Sequence, residues 1–432
     1  MDFLKCLNTD GKGISKNIFW LAIDKLIRLG LGLLLSVWIA RYLGPQKFGI
    51  WNYGMALTAV YGAIATLGLD SLIVHDLVES QWSASEILGT SLMMRLLSSI
   101  VAISASCLTA FLTDSHDKTV QLVVLITSAA FIFQAFDVID LFFQSKVQSK
   151  FSVIAKNGVF LFCAGLRFAG LFYKAGLLYF VSLTTIEAFL GSVSLIFYYQ
   201  KKTDINIKKW YFNGAYAKKK MKAAWPIILS GVIIIIYMRI DQIMIKYFMT
   251  EKSVGIYSAA VKLMEVWYFI PSTITVSIFP LLIKIKSDKK KYENTIQRMF
   301  GVLFIVSFSI SIVTTFFSER LISMLFGHAY LDAAFALKIS TWTGIFVFLG
   351  VGAGNILVIE DLNNHNLYKS LGSVFLNILL NFFLIPKYGI NGAASATLIS
   401  QFFGSYLYFL FPTKTRHIFI SQSKSMMFNV GR

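Results

Sequence analysis

Apolar runs of about 20 residues, the length that crosses a bilayer core as helix, follow one another from near residue 17 to near residue 412. The bilayer interior offers no water to backbone groups, so such runs span as helices that close their hydrogen bonds within the segment. Barrel strands would instead alternate apolar and polar side chains over about 10 residues, and no such alternation is present. Composition agrees: 14% of residues are charged, against about 25% in soluble domains. The chain reads as an all-α polytopic membrane protein.

The pattern places about twelve spans, approximately at 17–40, 50–73, 87–112, 119–143, 151–173, 176–199, 224–248, 255–283, 295–317, 335–359, 367–385 and 391–412. They divide into an N-terminal six-helix half (1–199), a basic linker (200–223), a C-terminal six-helix half (224–412) and a tail (413–432). The first run follows a short polar head and is long enough to span, so it is read as a helix and not as a cleaved signal. If the N-terminus is cytoplasmic, the cytoplasmic segments hold about 23 Lys and Arg and the opposite segments about 8. Lys5, Lys12 and Lys16, eight linker lysines, and Lys284, Lys286 and Lys289–Lys291 supply most of that excess. Both termini and the linker are therefore expected inside, the linker along the membrane surface. The net charge of +18 belongs to these loops and does not indicate a nucleic-acid partner.

A repeat supports the division. Arg41-Tyr42-Leu43-Gly44-Pro45-Gln46-Lys47-Phe48-Gly49-Ile50-Trp51 follows the first span, and Lys246-Tyr247-Phe248-Met249-Thr250-Glu251-Lys252-Ser253-Val254-Gly255-Ile256-Tyr257 follows the seventh. A basic-Tyr pair, a short turn and Gly-Ile-aromatic recur in the same kind of outer loop. The halves then read as parallel repeats about a pseudo-twofold axis, with the binding site expected between them.

Charge inside the spans marks candidate functional residues, since an ionisable group at the bilayer centre costs about 2.5–3.5 kcal/mol on insertion scales and usually faces a cavity or a partner. Cationic candidates for an anionic substrate are Lys25, Arg28, Arg95, Arg239 and Lys262. Candidates for ion coupling or charge pairing are Asp24, Asp137, Asp140, Glu187, Asp241 and Glu265. Asp24 and Arg28 are four apart and can pair on one helix face. Gln134, Asp137, Asp140 and Gln144 form a polar stripe, with Arg167 and Glu187 in the two spans that follow. Arg239 and Asp241, two apart, point roughly opposite ways, so at least one needs a partner elsewhere. Lys156, Lys246 and Lys338 lie near span ends and read as buried structural ion pairs or as side chains snorkelling to the headgroups. Pro271 and Pro280 each remove a backbone bond and are candidate hinges.

Other chemistry finds little support. Cys6, Cys107 and Cys163 are odd in number and scattered, without disulfide or metal-ligand spacing, and the five histidines are dispersed. There is no P-loop lysine motif, so no nucleotide and no other cofactor is implied. Gly350, Gly352 and Gly354 sit in an apolar span with no strand before them and read as close helix packing.

Several of these residues carry a family resemblance. Asn17-Ile18-Phe19-Trp20, Ala40-Arg41-Tyr42-Leu43-Gly44-Pro45, Phe48-Gly49 and Gly68-Leu69-Asp70 resemble the opening of bacterial polysaccharide transporters, the O-antigen repeat-unit flippases. Arg239-Ile240-Asp241-Gln242, Gly255-Ile256-Tyr257-Ser258-Ala259-Ala260 with Glu265 and Pro271, and Lys387-Tyr388-Gly389-Ile390-Asn391-Gly392-Ala393 continue the likeness in order. The resemblance implies a twelve-helix transporter, not an enzyme, of the multidrug, oligosaccharidyl-lipid and polysaccharide exporter superfamily. It implies an undecaprenyl-diphosphate-linked oligosaccharide as substrate, moved by alternating access across the bacterial inner membrane, with a proton or sodium ion as driving partner. Membrane lipids, a polysaccharide polymerase and a chain-length regulator are the further partners implied. The competing readings are a drug or organic-cation exporter of the same superfamily and a membrane polymerase, the latter opposed by short outer loops.

Overall fold

The computed structural model describes residues 2–79, 81–203 and 206–427; the side chains of 2–19, 21–23 and 26, hence Lys5, Cys6, Lys12, Lys16 and Asn17–Phe19, lie outside the described part. Every regular element described is a helix: α1 (Asp2–Thr66), α2 (Asp70–Glu79), α3 (Ala84–Thr113), α4 (Lys118–Gln134), α5 (Val138–Ser145), α6 (Lys150–Phe172) and α7 (Leu177–Lys202). Then come α8 (Gly214–Phe248), α9 (Glu251–Glu265), α10 (Phe269–Ile285), α11 (Lys289–Leu325), α12 (Ala333–Ile359), α13 (Asn363–Ser405) and α14 (Arg416–Met426). Loop residues set the starts. Ser83 and Glu86 form a reciprocal capping box at α3, and the side chains of Asp117, Thr250 and Asp288 accept first-turn amides of α4, α9 and α11.

Among the described residues, ten segments are long and apolar enough to cross a membrane. The two longest, Ile27–Glu79 and Asn363–Leu410, run 53 and 48 residues. Unbroken helix of that length would measure about 80 and 72 Å, against about 30 Å of hydrocarbon. Both are interrupted, at Gly44 (φ 74°, ψ 169°) and at Gly389 (φ 58°, ψ −138°). These conformations strain any residue with a Cβ, and Pro45 additionally has no amide to continue the ladder. Large apolar side chains face outward, Phe172 and Phe316 at 80% and 81% exposed, as lipid-facing surface requires.

The chain forms two compact units: unit 1 comprises residues 1–43 and 54–235, and unit 2 comprises 44–53 and 236–432. Unit 1 packs Leu69, Ile73, Leu88, Val138, Ile139, Phe143, Tyr199 and Tyr216 into one core. The basic segment after α7 is clamped to this unit. Asn213 N donates to Thr90 Oγ1 (2.9 Å), the Tyr216 hydroxyl to Asp76 (2.6 Å), and Lys220 pairs with Asp76 at 2.5 Å. Asn213 also caps α8, which begins inside the stretch read as linker.

Unit 2 packs Leu303, Phe348, Leu349, Ile356, Leu357, Phe409 and Ile418 together. Ile418 belongs to α14, so the tail is a docked helix; Gln422 Nε2 donates to Ser405 O (3.1 Å) and Ser425 Oγ to Gln297 O (3.0 Å). The repeated motifs meet here, glycine on glycine. A Cβ on Gly49 would lie 1.7 Å from Glu251 O, and one on Gly255 would lie 2.0 Å from Pro45 O. Contact between equivalent residues of two copies is what a twofold relation between the motifs places on its axis. The Gly350 reading is borne out as well: a Cβ there would meet Ser405 Oγ at 2.3 Å.

Two long helices leave α geometry midway. A 3-10 turn at Ala135–Asp137 separates α4 from α5, and one at Val266–Tyr268 separates α9 from α10. Pro271 is the third residue of α10, where a helix start leaves amides unpaired in any case. Pro280 lies inside α10, which continues to Ile285.

Candidate functional site

Each unit holds a cavity beside its 3-10 turn. The cavity of unit 1, about 230 Å³, is lined by Arg28, Gln134, Asp137, Lys156, Thr184 and Glu187 among others. Its charges are paired throughout. Arg28 Nε binds Asp24 at 2.9 Å and its Nη1 lies 3.9 Å from Glu187, which also takes Arg167 at 2.8 Å. Lys156 Nζ bridges Asp137 and Asp140, 2.8 Å from each. The break at 135–137 turns both aspartates toward α6. Lys156 thus lines this cavity as part of a structural ion pair, one of the two roles read for it from the sequence, and not as a snorkelling side chain. A cation shared by two carboxylates in a poorly hydrated site gains more from its partners than from a distant headgroup.

Of the other first-half candidates, Arg95 is buried and pairs with Asp70, outside the cavity. Lys25 is exposed and does not line it. His75, Asp76 and Glu79 bring possible ligand atoms within 4.8 Å of one another, but Asp76 is already engaged by Tyr216 and Lys220.

The cavity of unit 2, about 240 Å³, is built differently. Asp241 on α8 sits in its wall, 6% exposed, and no Lys or Arg among the described residues pairs with it. Its oxygens accept from three neutral groups: the Tyr257 hydroxyl (2.7 Å), Asn381 Nδ2 (2.7 Å) and the Thr397 hydroxyl. Asn381 Nδ2 also donates to Asn377 Oδ1 (3.0 Å), and Thr397 Oγ1 to Ala393 O (3.0 Å). Asn381 Oδ1, buried beside these groups, has no hydrogen-bond partner. An ionised carboxylate and an orphaned carbonyl oxygen in a dry site are costly together. Both would be satisfied by a bound cation that takes oxygen ligands, and the carboxylate alone by a proton.

The remaining second-half candidates surround this wall. Arg239, as the two-residue offset requires, faces away from Asp241 and binds Glu265 at 3.1 Å. Glu265 lines the cavity; Arg239 and Lys262 do not. Lys262 Nζ lies 4.9 Å above the ring of Phe48, a cation–π contact. Sequence reasoning found Asp241 but missed Tyr257, Asn377, Asn381 and Thr397, because its search weighted charge. The available signal was Asn377 and Asn381, two amides four residues apart on one face of an apolar run.

These features define a polytopic helical membrane protein with polar sites enclosed among its spans. A family model described as "Polysaccharide biosynthesis protein" matches residues 14–286, and the chain belongs to that family. It is 24% identical over 400 residues to the capsular polysaccharide biosynthesis protein CapF of Staphylococcus aureus, covering 91% of this chain and 98% of CapF. It is 24% identical over 399 residues to a Shigella flexneri protein whose name assigns it to O-antigen transport, covering 88% and 91%. In fold it is similar to the lipid II flippase MurJ in an inward closed conformation, with a TM-score of 0.74 over 95% of this chain and 91% of that one, at 18% identity.

Proposed function

We propose that this protein is a flippase that carries an undecaprenyl-diphosphate-linked oligosaccharide from the cytoplasmic to the periplasmic leaflet of a bacterial inner membrane. It works by alternating access and draws on a cation gradient at Asp241. The names of the relatives and the MurJ-like fold support the substrate class. The observation that carries the coupling is the buried Asp241, held by neutral donors beside an unpartnered Asn381 oxygen. A proton would neutralise the carboxylate; a sodium ion would be held by Asp241, Asn377, Asn381 and Thr397. Filling the site removes an uncompensated charge from the wall and so favours one packing of α8 against α13 over another.

The chain crosses the membrane twelve times in two six-helix halves, breaking at Gly44 and Gly389, with both termini and the basic segment cytoplasmic. Arg28 in unit 1 and Arg239 in unit 2 are each bound to a carboxylate that can be exchanged for another anion, and each offers, within its own unit, a contact for the substrate diphosphate. The 3-10 turns at 135–137 and 266–268, with Pro271 and Pro280 beyond the second, provide the bending points.

Deletion in the native bacterium, followed by analysis of its lipid-linked intermediates, tests the reading. Complete repeat units should accumulate on the cytoplasmic leaflet while surface polymer is lost. Normal surface polysaccharide, or single units that reach the periplasm unpolymerised, would refute it.

A further inference from the structure

We infer that the unit 2 cavity is a subsite for one uncharged sugar ring of the transported lipid, an inference that rests on the flippase reading. Among the described residues the lining contains no Lys or Arg but does contain Asp241 and Glu265, so a diphosphate is repelled from it. An organic cation fares little better, because Glu265 is already paired with Arg239 and Asp241 is the carboxylate assigned above to the coupling proton or sodium ion.

What remains open on the wall is neutral. Thr343 lines the cavity at 3% exposed, and its hydroxyl has no hydrogen-bond partner. Gln242, at 5% exposed, also lines the cavity. A buried hydroxyl without a partner, with a glutamine amide on the same wall, is complementary to ligand hydroxyls. Tyr237 and Tyr268 add aromatic surface, and the Tyr237 hydroxyl is fixed by Gln401 (2.5 Å) and Ser400 (3.2 Å). The volume of about 240 Å³ falls below the roughly 300–1,000 Å³ of pockets for drug-sized ligands, which suits a single ring and not a whole oligosaccharide. Asp241, Tyr257 and Thr397 belong both to this wall and to the proposed coupling site, so sugar and cation would be felt by the same side chains.

The test uses purified full-length protein and two probes, undecaprenyl diphosphate and undecaprenyl-diphosphate-N-acetylglucosamine, with affinities measured for wild type, Thr343→Val and Gln242→Leu. Each variant removes one hydrogen-bonding group at nearly constant volume. Both are expected to weaken the sugar-bearing lipid about tenfold, as loss of a buried polar contact does, and to leave the bare lipid unchanged. Equal weakening of both probes, or no change in either, would overturn the subsite. So would tetraphenylphosphonium displacing the sugar-bearing lipid from wild type in a Thr343-dependent way, which would assign the cavity to cations. Wild type binding neither undecaprenyl lipid would instead fail the flippase reading itself, before any variant is compared.

Discussion

The two cavities are nearly equal in volume, about 230 and 240 Å³, and opposite in electrostatic construction. Around the first, ion pairs fall into two sets, Asp24–Arg28–Glu187–Arg167 and Lys156 between Asp137 and Asp140. In the second, one carboxylate is wrapped in hydroxyl and amide groups, and no Lys or Arg among the described residues pairs with it. A crosslinked set of charges favours one arrangement of the helices that carry it. A carboxylate that no Lys or Arg among the described residues pairs with is a site that a proton or cation can fill. The difference assigns cohesion to the first and coupling to the second.

The sharpest break of that comparison is Asp241→Asn, which preserves shape and removes the charge. It should abolish flipping while protein still reaches the membrane, read as accumulated lipid-linked repeat units at matched expression. Asn381→Ala, which removes the orphaned oxygen and one donor, should lower transport about 10- to 100-fold, the usual penalty for a residue supporting an ion site. In unit 1 the loss should appear as stability. Lys156→Met leaves Asp137 and Asp140 facing each other and should destabilise by about 3 kcal/mol, near the low end for a broken buried pair because Lys156 is partly exposed. Adding Asp137→Asn and Asp140→Asn should recover most of that, as measured by thermal unfolding in detergent.

The structural glycines come next. Gly255→Ala forces a methyl against Pro45 O and should cost about 1–3 kcal/mol as overpacking, visible as a lowered unfolding midpoint with the ion-dependent signal intact.

The smallest effect is at α14. His417 Nε2 lies 3.0 Å from Glu360 Oε1, and this hydrogen bond to the carboxylate raises the His417 pKa above its ordinary value. A group whose folded pKa is raised stabilises below its unfolded value, about 6.5, and loses that contribution as pH rises through the folded value. Amide protection in α14, corrected for the intrinsic rise of exchange with pH, should therefore fall modestly above about pH 6.5, and His417→Gln should remove that pH dependence.

How much of this was legible in the sequence follows from the kind of signal each residue leaves. Apolar runs locate the helices, since backbone satisfaction in lipid leaves no alternative. Gly44-Pro45 marks a break because it is a local conformational signal. Asp241, Arg239 and Glu265 stand out as charges in apolar surroundings, and the two-residue offset separates Arg239 from Asp241. Asn377, Asn381 and Thr397 did not stand out, because neutral polar residues are common in membrane helices and become a site only when α13 folds back on itself. The partners of Lys156 were not legible, because they depend on the turn at Ala135–Asp137, which brings Asp137 and Asp140 to α6. Pairing across helices is tertiary information, and spacing along one helix does not contain it.

The central claim is that Asp241 couples a cation gradient to transport. Flipping of a fluorescent lipid-linked oligosaccharide in proteoliposomes, with and without an imposed sodium or proton gradient, tests it directly in wild type and Asp241→Asn. The account predicts that one gradient accelerates wild type and leaves Asp241→Asn unaffected. Equal acceleration of both proteins at matched reconstitution would contradict it.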